Sequence, residues 1–245
     1  MKKISARDIL IYALDADGIA DAREQVKRLQ GAVSVFKIGF QLFLREGTRA
    51  VKMVHEEGGK VFLDLKFHDI PSTVEKAARE AVRMGVFMFN VHAGGGRAMM
   101  QAAVKGAREE AARIGFPVPR VLGVTVLTSL DREAVREIGF RKGPAGQAEA
   151  LAALAARSGL AGVVASPREA ARIKKIAGRE FLVVCPGIRP SGADKGDQSR
   201  IETPAAAVKA GADYLVVGRP IRDARDPAAA ARAIMEEALN ARRGK

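Results

Sequence analysis

The chain is poor in cysteine and in long apolar runs. Cys185 is the sole cysteine among 245 residues, so no intramolecular disulfide is possible. It lies in the apolar run FLVVCPG, which favours a buried small hydrophobe over a reactive thiol. No run approaches the roughly 18 apolar residues of a membrane span, and MKKISARDILIYALD has too short an apolar segment for a signal peptide. The sequence therefore predicts a soluble, cytoplasmic protein with no membrane partner.

Aromatic residues are also scarce, at 5% with no tryptophan, although the net charge is +13. Without aromatic platforms, single-stranded nucleic acid has little to stack on. The basic residues are scattered beside glutamate at helical spacing, as in AREQVKRLQ and AREEAARIG, which is typical of solvated helix surface. No nucleic-acid partner is predicted, and a basic nucleic-acid-binding module is kept as the alternative from another functional class.

Sequence signatures of metal and cofactor sites are missing as well. The chain has no HExxH, no Cys/His cluster and no GxGxxG opening a helix after the first apolar run. The last absence weakens a dinucleotide-binding sheet. These motifs therefore give no signal for a metal site, and no carboxylate array is convincing enough for Mg²⁺.

Short apolar runs do recur, and amphipathic stretches separate them. The runs cover residues 9–15, 35–40, 60–66, 88–92, 120–127, 162–166, 181–187 and 214–219. Runs rich in Val, Ile and Leu suit parallel strands covered by helices on both faces. Eight such repeats in 245 residues favour one (β/α)₈ TIM-barrel domain over residues 1–245 rather than an open sheet.

Polar residues fall at or just after the ends of these runs. They are Asp15, Lys37, Asp64, Lys66, His92, Thr128, Ser166, Arg189 and Arg219. In a TIM barrel the carboxyl ends of the strands carry the active site. A polar group at each of these strand ends therefore predicts a ring of side chains around one pocket.

The run FLDLKFHDIP places Asp64, Lys66 and Asp69 within six positions. Asp64 and Lys66 are two apart, so on a regular strand both side chains share one face. An ammonium held by carboxylates suits a proton donor rather than a Schiff-base nucleophile. A salt bridge that merely fixes the following loop is the alternative. Lys37 in VFKIGF needs carboxylate partners, for which Asp15 and Asp64 are candidates, unless it extends to solvent.

Two Gly/Arg turns follow the last two runs, in CPGIRP and VVGRPI. TIM barrels often bind phosphate after strands 7 and 8, where glycine lets a ligand approach the backbone and arginine supplies a bidentate clamp. Between the turns, RPSGADKGDQSRIETP has no hydrophobic pattern. So long a loop is usually functional, and a lid over the phosphate is the favoured interpretation, with an unimportant insertion as the alternative.

The stretch DLKFHDIPST resembles the signature Asp-x-Lys-x-x-Asp-Ile-Pro-x-Thr of the orotidine 5′-phosphate decarboxylase family. ALD, FKIG, VTVLTS, PGIRP, GDQSR and VVGRPI follow the family's order over essentially the whole chain. DxKxxD alone is shared with related phosphosugar decarboxylases and hexulose-phosphate synthases, the runner-up activities, which would use Mg²⁺. The resemblance implies conversion of orotidine 5′-phosphate to UMP and CO₂, the last step of de novo pyrimidine synthesis, without a cofactor.

The resemblance also implies roles for individual residues. Lys66 would donate a proton to C6 of the pyrimidine, and Asp64 would lie against the substrate carboxylate. The implied array of alternating charges consists of Lys37, Asp64, Lys66 and Asp69. The implied substrate contacts are Asp15 and Lys37 for ribose, Thr128 for the pyrimidine, and Arg189, Gln198, Gly218 and Arg219 for phosphate.

The family is dimeric, so the resemblance further implies a homodimer with shared sites. Asp69, Ile70 and Thr73 would reach into the partner's site. Ser72 and Asn90 depart from the family pattern, and neither is expected to take part in the chemistry.

Overall fold

A computed structural model of the chain describes residues 6–190 and 202–243. Within these ranges, parallel strands close into a barrel in chain order, with β8 hydrogen-bonded to β1. The strands are β1 Leu10–Ala13, β2 Val35–Ile38, β3 Lys60–Phe67, β4 Met88–His92, β5 Arg120–Val124, β6 Gly162–Val164, β7 Leu182–Cys185 and β8 Tyr214–Val217. The predicted (β/α)₈ barrel is confirmed. Except for β3 and β4, the strands end before their apolar runs do, so the last residues of those six runs belong to the loops at the barrel mouth.

Helices surround the barrel. They are α1 Ile19–Arg28, α2 Phe40–Glu46, α3 Thr48–Glu56, α4 Pro71–Arg83, α5 Gly96–Ile114, α6 Arg132–Glu137, α7 Pro144–Arg157, α8 Pro167–Ala177, α9 Pro204–Ala210, α10 Arg219–Arg222 and α11 Pro227–Arg243. Several begin with proline, whose fixed φ and missing N–H suit the first helical position. None of the helices in the described ranges is long and apolar enough to cross a membrane.

The apolar core has two layers because successive strand side chains point to opposite sides of the barrel wall. On β1, Ile11 and Ala13 belong to the inner cluster, whereas Leu10 and Tyr12 pack outward against the helices. Cys185 lies in the outer layer with no exposed surface, and burial raises the pKa of its thiol. It is thus a buried small hydrophobe, as the sequence predicts.

Helices α4 and α5 pack closely. A Cβ atom built on Gly106 of α5 would lie 2.5 Å from the backbone oxygen of Glu75 in α4, so glycine permits this approach. The buried carboxylate of Glu110 accepts hydrogen bonds from Arg113 at 2.6 Å and, across the helix pair, from Arg83 at 2.7 Å. These contacts join α4 to α5, and α4 follows directly on the loop after β3.

Candidate active site

A cavity of about 520 Å³ opens at the carboxyl ends of the strands. Ala13, Phe62 and Val216 of the inner core layer contribute to its lining. The predicted site residues on its wall are Asp15, Lys37, Asp64, Lys66, Thr128, Arg189, Gly218 and Arg219. The cavity has the size range of small-molecule sites.

Strands β2 and β3 and the residues after β1 supply a group of alternating charges. Lys66 Nζ lies 2.8 Å from Asp64 Oδ1, while Lys37 Nζ lies 3.5 Å from Asp64 Oδ2 and 3.8 Å from Asp15 Oδ1. The Lys37 side chain is 14% exposed and that of Asp64 is 13% exposed, so Lys37 remains in the wall rather than extending to solvent. At these separations each Asp64–lysine attraction is about 5–6 kcal/mol at an effective dielectric of 20, before desolvation is counted. One carboxylate thus holds two ammonium groups on the same wall.

Asn90 is a site neighbour that the sequence analysis did not expect to matter. This side chain of β4 is 1% exposed and contacts both Asp64 and the backbone of Lys66. The signal available in the sequence is an amide inside the apolar strand MFNVH, since a buried amide requires hydrogen-bond partners.

Arginines form the wall on the side of β7 and β8. Arg189 follows β7 and is 8% exposed, while Arg219 and Arg222 lie in the short helix after β8. The pKa of Asp223 is lowered first by its hydrogen bond with Arg222, and then by the positive charges of Arg222, Arg219 and Arg189. Arg222 was not among the predicted contacts. This cationic wall suits an anionic group such as a phosphate.

The two ends of the predicted lid are joined beside this wall. The N–H of Arg189 donates to the carbonyl oxygen of Glu202 at 3.0 Å, and the N–H of Glu202 donates to that of Gly187 at 3.3 Å. Gln198, predicted to contact phosphate, lies outside the described residues.

Two residues of the predicted ring do not line the cavity, and this part of the prediction is wrong. Ser166 is fully buried and caps α8, where its N–H donates to the Glu169 carboxylate at 2.9 Å. The His92 ring packs against His68 with centroids 5.3 Å apart. Burial, followed by the neighbouring His68 and Lys66, lowers the pKa of His92. A strand-end position alone therefore does not place a side chain in the cavity.

Asp69, Ile70 and Thr73 also lie outside their own chain's cavity. Asp69 Oδ1 accepts a hydrogen bond from the N–H of Ile70 at 2.6 Å, and the Ile70 residue is 64% exposed. Within one chain, the charge group is therefore Asp15, Lys37, Asp64 and Lys66, without Asp69. No cluster of three or more His, Cys, Asp or Glu side chains arranged to hold a metal ion occurs in the described parts of the chain.

A family model described as "Orotidine 5′-phosphate decarboxylase / HUMPS family" matches residues 8–234. The chain belongs to this family. Among its members, the orotidine 5′-phosphate decarboxylase of Moorella thermoacetica is 53% identical over 97% of this chain and 94% of its own length. The protein of the same name from Syntrophotalea carbinolica is 54% identical over 96% of both chains.

Solved structures show the same similarity. The crystal structure of orotidine 5′-phosphate decarboxylase from Lactobacillus acidophilus matches with a TM-score of 0.83 at 37% identity, covering 95% of this chain and 99% of that one. An uncharacterized conserved protein from Geobacillus kaustophilus matches with a TM-score of 0.78 at 36% identity, covering 94% and 99%. The family's barrel is thus shared over nearly the whole length of each chain.

Proposed function

We propose that the protein decarboxylates orotidine 5′-phosphate to UMP and CO₂, the last step of de novo pyrimidine synthesis, without a metal or organic cofactor. The observation that carries the proposal is the Lys37–Asp64–Lys66 contact set, which faces the same cavity as the arginine wall after β7 and β8. Relatives that carry the decarboxylase name cover nearly the whole chain and support it.

In the proposed reaction, the bond from C6 to the substrate carboxylate breaks and its electron pair stays on C6. CO₂ leaves, and an ammonium proton of Lys66 passes to C6, so the lysine is left neutral until it regains a proton from water. The carbanion has little delocalisation, so a fixed positive charge is the main stabilisation available to it. Asp64 lies 2.8 Å from Lys66 Nζ and orients that ammonium. Its negative charge also destabilises the bound substrate, whose carboxylate lies beside it until CO₂ leaves.

The remaining wall residues are proposed to bind the rest of the nucleotide. Asp15 and Lys37 take ribose hydroxyls and Thr128 faces the pyrimidine. The proposed phosphate contacts are Arg189, Gln198, Gly218 and Arg219. Binding energy from the phosphate, which does not react, can then order the charge group around C6.

We propose a homodimer in which Asp69, Ile70 and Thr73 complete the partner's site. Two observations support this. The three residues are exposed and lie outside their own cavity. Apolar side chains beside the cavity are also exposed, with Phe40, whose ring centroid lies 5.3 Å from Lys66 Nζ, at 52% and the lining residue Leu127 at 40%.

The reaction is tested by following the loss of orotidine 5′-phosphate absorbance with purified protein treated with EDTA. Turnover that persists without metal is the expected result. No turnover under any metal condition would refute the proposal. Activity on a phosphosugar that requires added Mg²⁺ would instead favour the runner-up activities of the same barrel family.

A further inference from the structure

Strand β3 leaves regular pairing with β4 after Leu63, immediately before Asp64. It pairs with β4 as Phe62↔Met88 and Leu63↔Phe89, and then again only at Phe67↔Val91. Three residues of β3, 64–66, therefore stand opposite Asn90 alone. Within the bulge, Lys66 has φ of +45°, the one positive φ of a non-glycine residue in the described ranges. Such a backbone persists only where its surroundings hold it.

Asn90 supplies the contacts that hold this bulge. Its Oδ1 accepts a hydrogen bond from the backbone N–H of Lys66 at 2.8 Å, in place of a strand partner. Its Nδ2 donates to Asp64 Oδ1 at 2.7 Å, the same oxygen that Lys66 Nζ contacts at 2.8 Å. If the Asn90 amide were rotated by about 180°, its oxygen would face the Asp64 carboxylate and its NH₂ would face the Lys66 N–H. Both contacts would be repulsive, so the surroundings define the orientation of the amide.

We infer that Asn90 is the positioning residue of the Lys66–Asp64 pair, setting the backbone of the proton donor and the carboxylate beside it through one amide. The inference rests on the proposed function. Asn90 does not line the cavity, so it acts through these two residues and not on the substrate. The position requires one hydrogen-bond donor and one acceptor at a fixed spacing. Leucine has neither, and an ionised aspartate has acceptors but no donor.

A purely structural role for Asn90 makes a different prediction. If the amide merely satisfied a buried N–H, its loss would lower stability and leave kcat per folded molecule unchanged. If it positions the pair, its loss lowers kcat and kcat/KM together while KM is retained, because the ribose and phosphate contacts remain.

The test is Asn90→Leu, which keeps the side-chain volume and removes both hydrogen bonds. We expect kcat to fall about 10- to 100-fold, the range for a catalytic group displaced by about 1 Å, with KM unchanged. The matched control is Thr125→Val, which removes another hydrogen bond of the barrel wall, from Thr125 Oγ1 to the carbonyl of Val164 at 3.0 Å. It should leave kcat as in the wild type. Near-native kcat in Asn90→Leu would overturn the inference.

Asn90→Asp covers the possibility that Asn90→Leu does not fold. It keeps an acceptor for the Lys66 N–H but sets a carboxylate against Asp64, so the expected loss of kcat at unchanged KM is the same. Near-native kcat in this variant would overturn the inference as well.

Wild-type turnover is measured first, and its absence would refute the proposed reaction rather than the role of Asn90. Crystal structures of the wild type and a folded Asn90 variant then decide that role. A moved Asp64 carboxylate or a changed Lys66 φ in the variant supports positioning. The same geometry in both refutes it.

Discussion

Replacing Gly106 with alanine is expected to destabilise the protein, although alanine is the better helix former. Gly106 lies within α5, where alanine would gain about 1 kcal/mol in helix propensity. However, the new Cβ would lie 2.5 Å from the backbone oxygen of Glu75 and 2.9 Å from its Cγ. A backbone oxygen cannot rotate away, so α4 and α5 must separate by about 1 Å to restore an ordinary contact.

The net change in stability depends on the sizes of these two opposing effects. Overpacking in a close-packed contact costs typically about 1–3 kcal/mol, which exceeds or cancels the propensity gain. The difference is a net loss of up to about 2 kcal/mol, which for a chain of this size lowers Tm by up to about 4–8 °C.

The matched control is Gly146→Ala in α7. There a Cβ meets only ordinary contacts, the nearest being Lys142 Cβ at 3.6 Å, so the propensity gain stands alone. Its Tm should rise by up to about 2–4 °C. Thermal unfolding followed by circular dichroism measures both variants. A Gly106→Ala protein at least as stable as the wild type would show that the close approach of α4 and α5 does not constrain this position.

Three further predictions concern the proposed proton donor, the shared site and the buried carboxylate. Lys66→Ala should abolish turnover but retain weakened substrate binding, because the cationic phosphate wall remains; kinetics and calorimetry check this, and near-native kcat would contradict the donor role. Mixing inactive Lys66→Ala with inactive Asp69→Asn should restore part of the activity through hybrid dimers, and no recovery would indicate sites built from one chain. Hydrogen bonds from Arg113 and Arg83 lower the pKa of Glu110 from 4.5 to about 2, so its stabilisation is present above pH 4.5 and is lost as the pH falls towards 2. In urea titrations, Glu110→Gln should therefore have a lower free energy of unfolding than the wild type at pH 7, and this difference should shrink as the pH falls from 4.5 towards 2. A difference that does not change with pH would refute the ion-pair explanation.

Much of the fold could be read from the chain because buried parallel strands require apolar runs, and eight such runs recur between amphipathic stretches. The positions of Asp15, Lys37 and Arg189 at strand ends could be read in the same way. The alternation of side chains along a regular strand predicted that Asp64 and Lys66 share one wall. They do, but regular alternation is not the cause. A bulge with a positive φ at Lys66, not regular pleating, presents these side chains to the cavity.

The sequence by itself determined the barrel, the order of its strands and the residue types available at its mouth, since these follow from local periodicity. Only the tertiary structure decided which polar side chains meet. Ser166 is the exception, because Glu169, three residues later, completes a local capping box. His92 packs against His68, and Asn90 donates a hydrogen bond to Asp64 from the neighbouring strand. These two outcomes depend on inter-strand register and on partners distant in the chain, which no spacing along a single strand encodes.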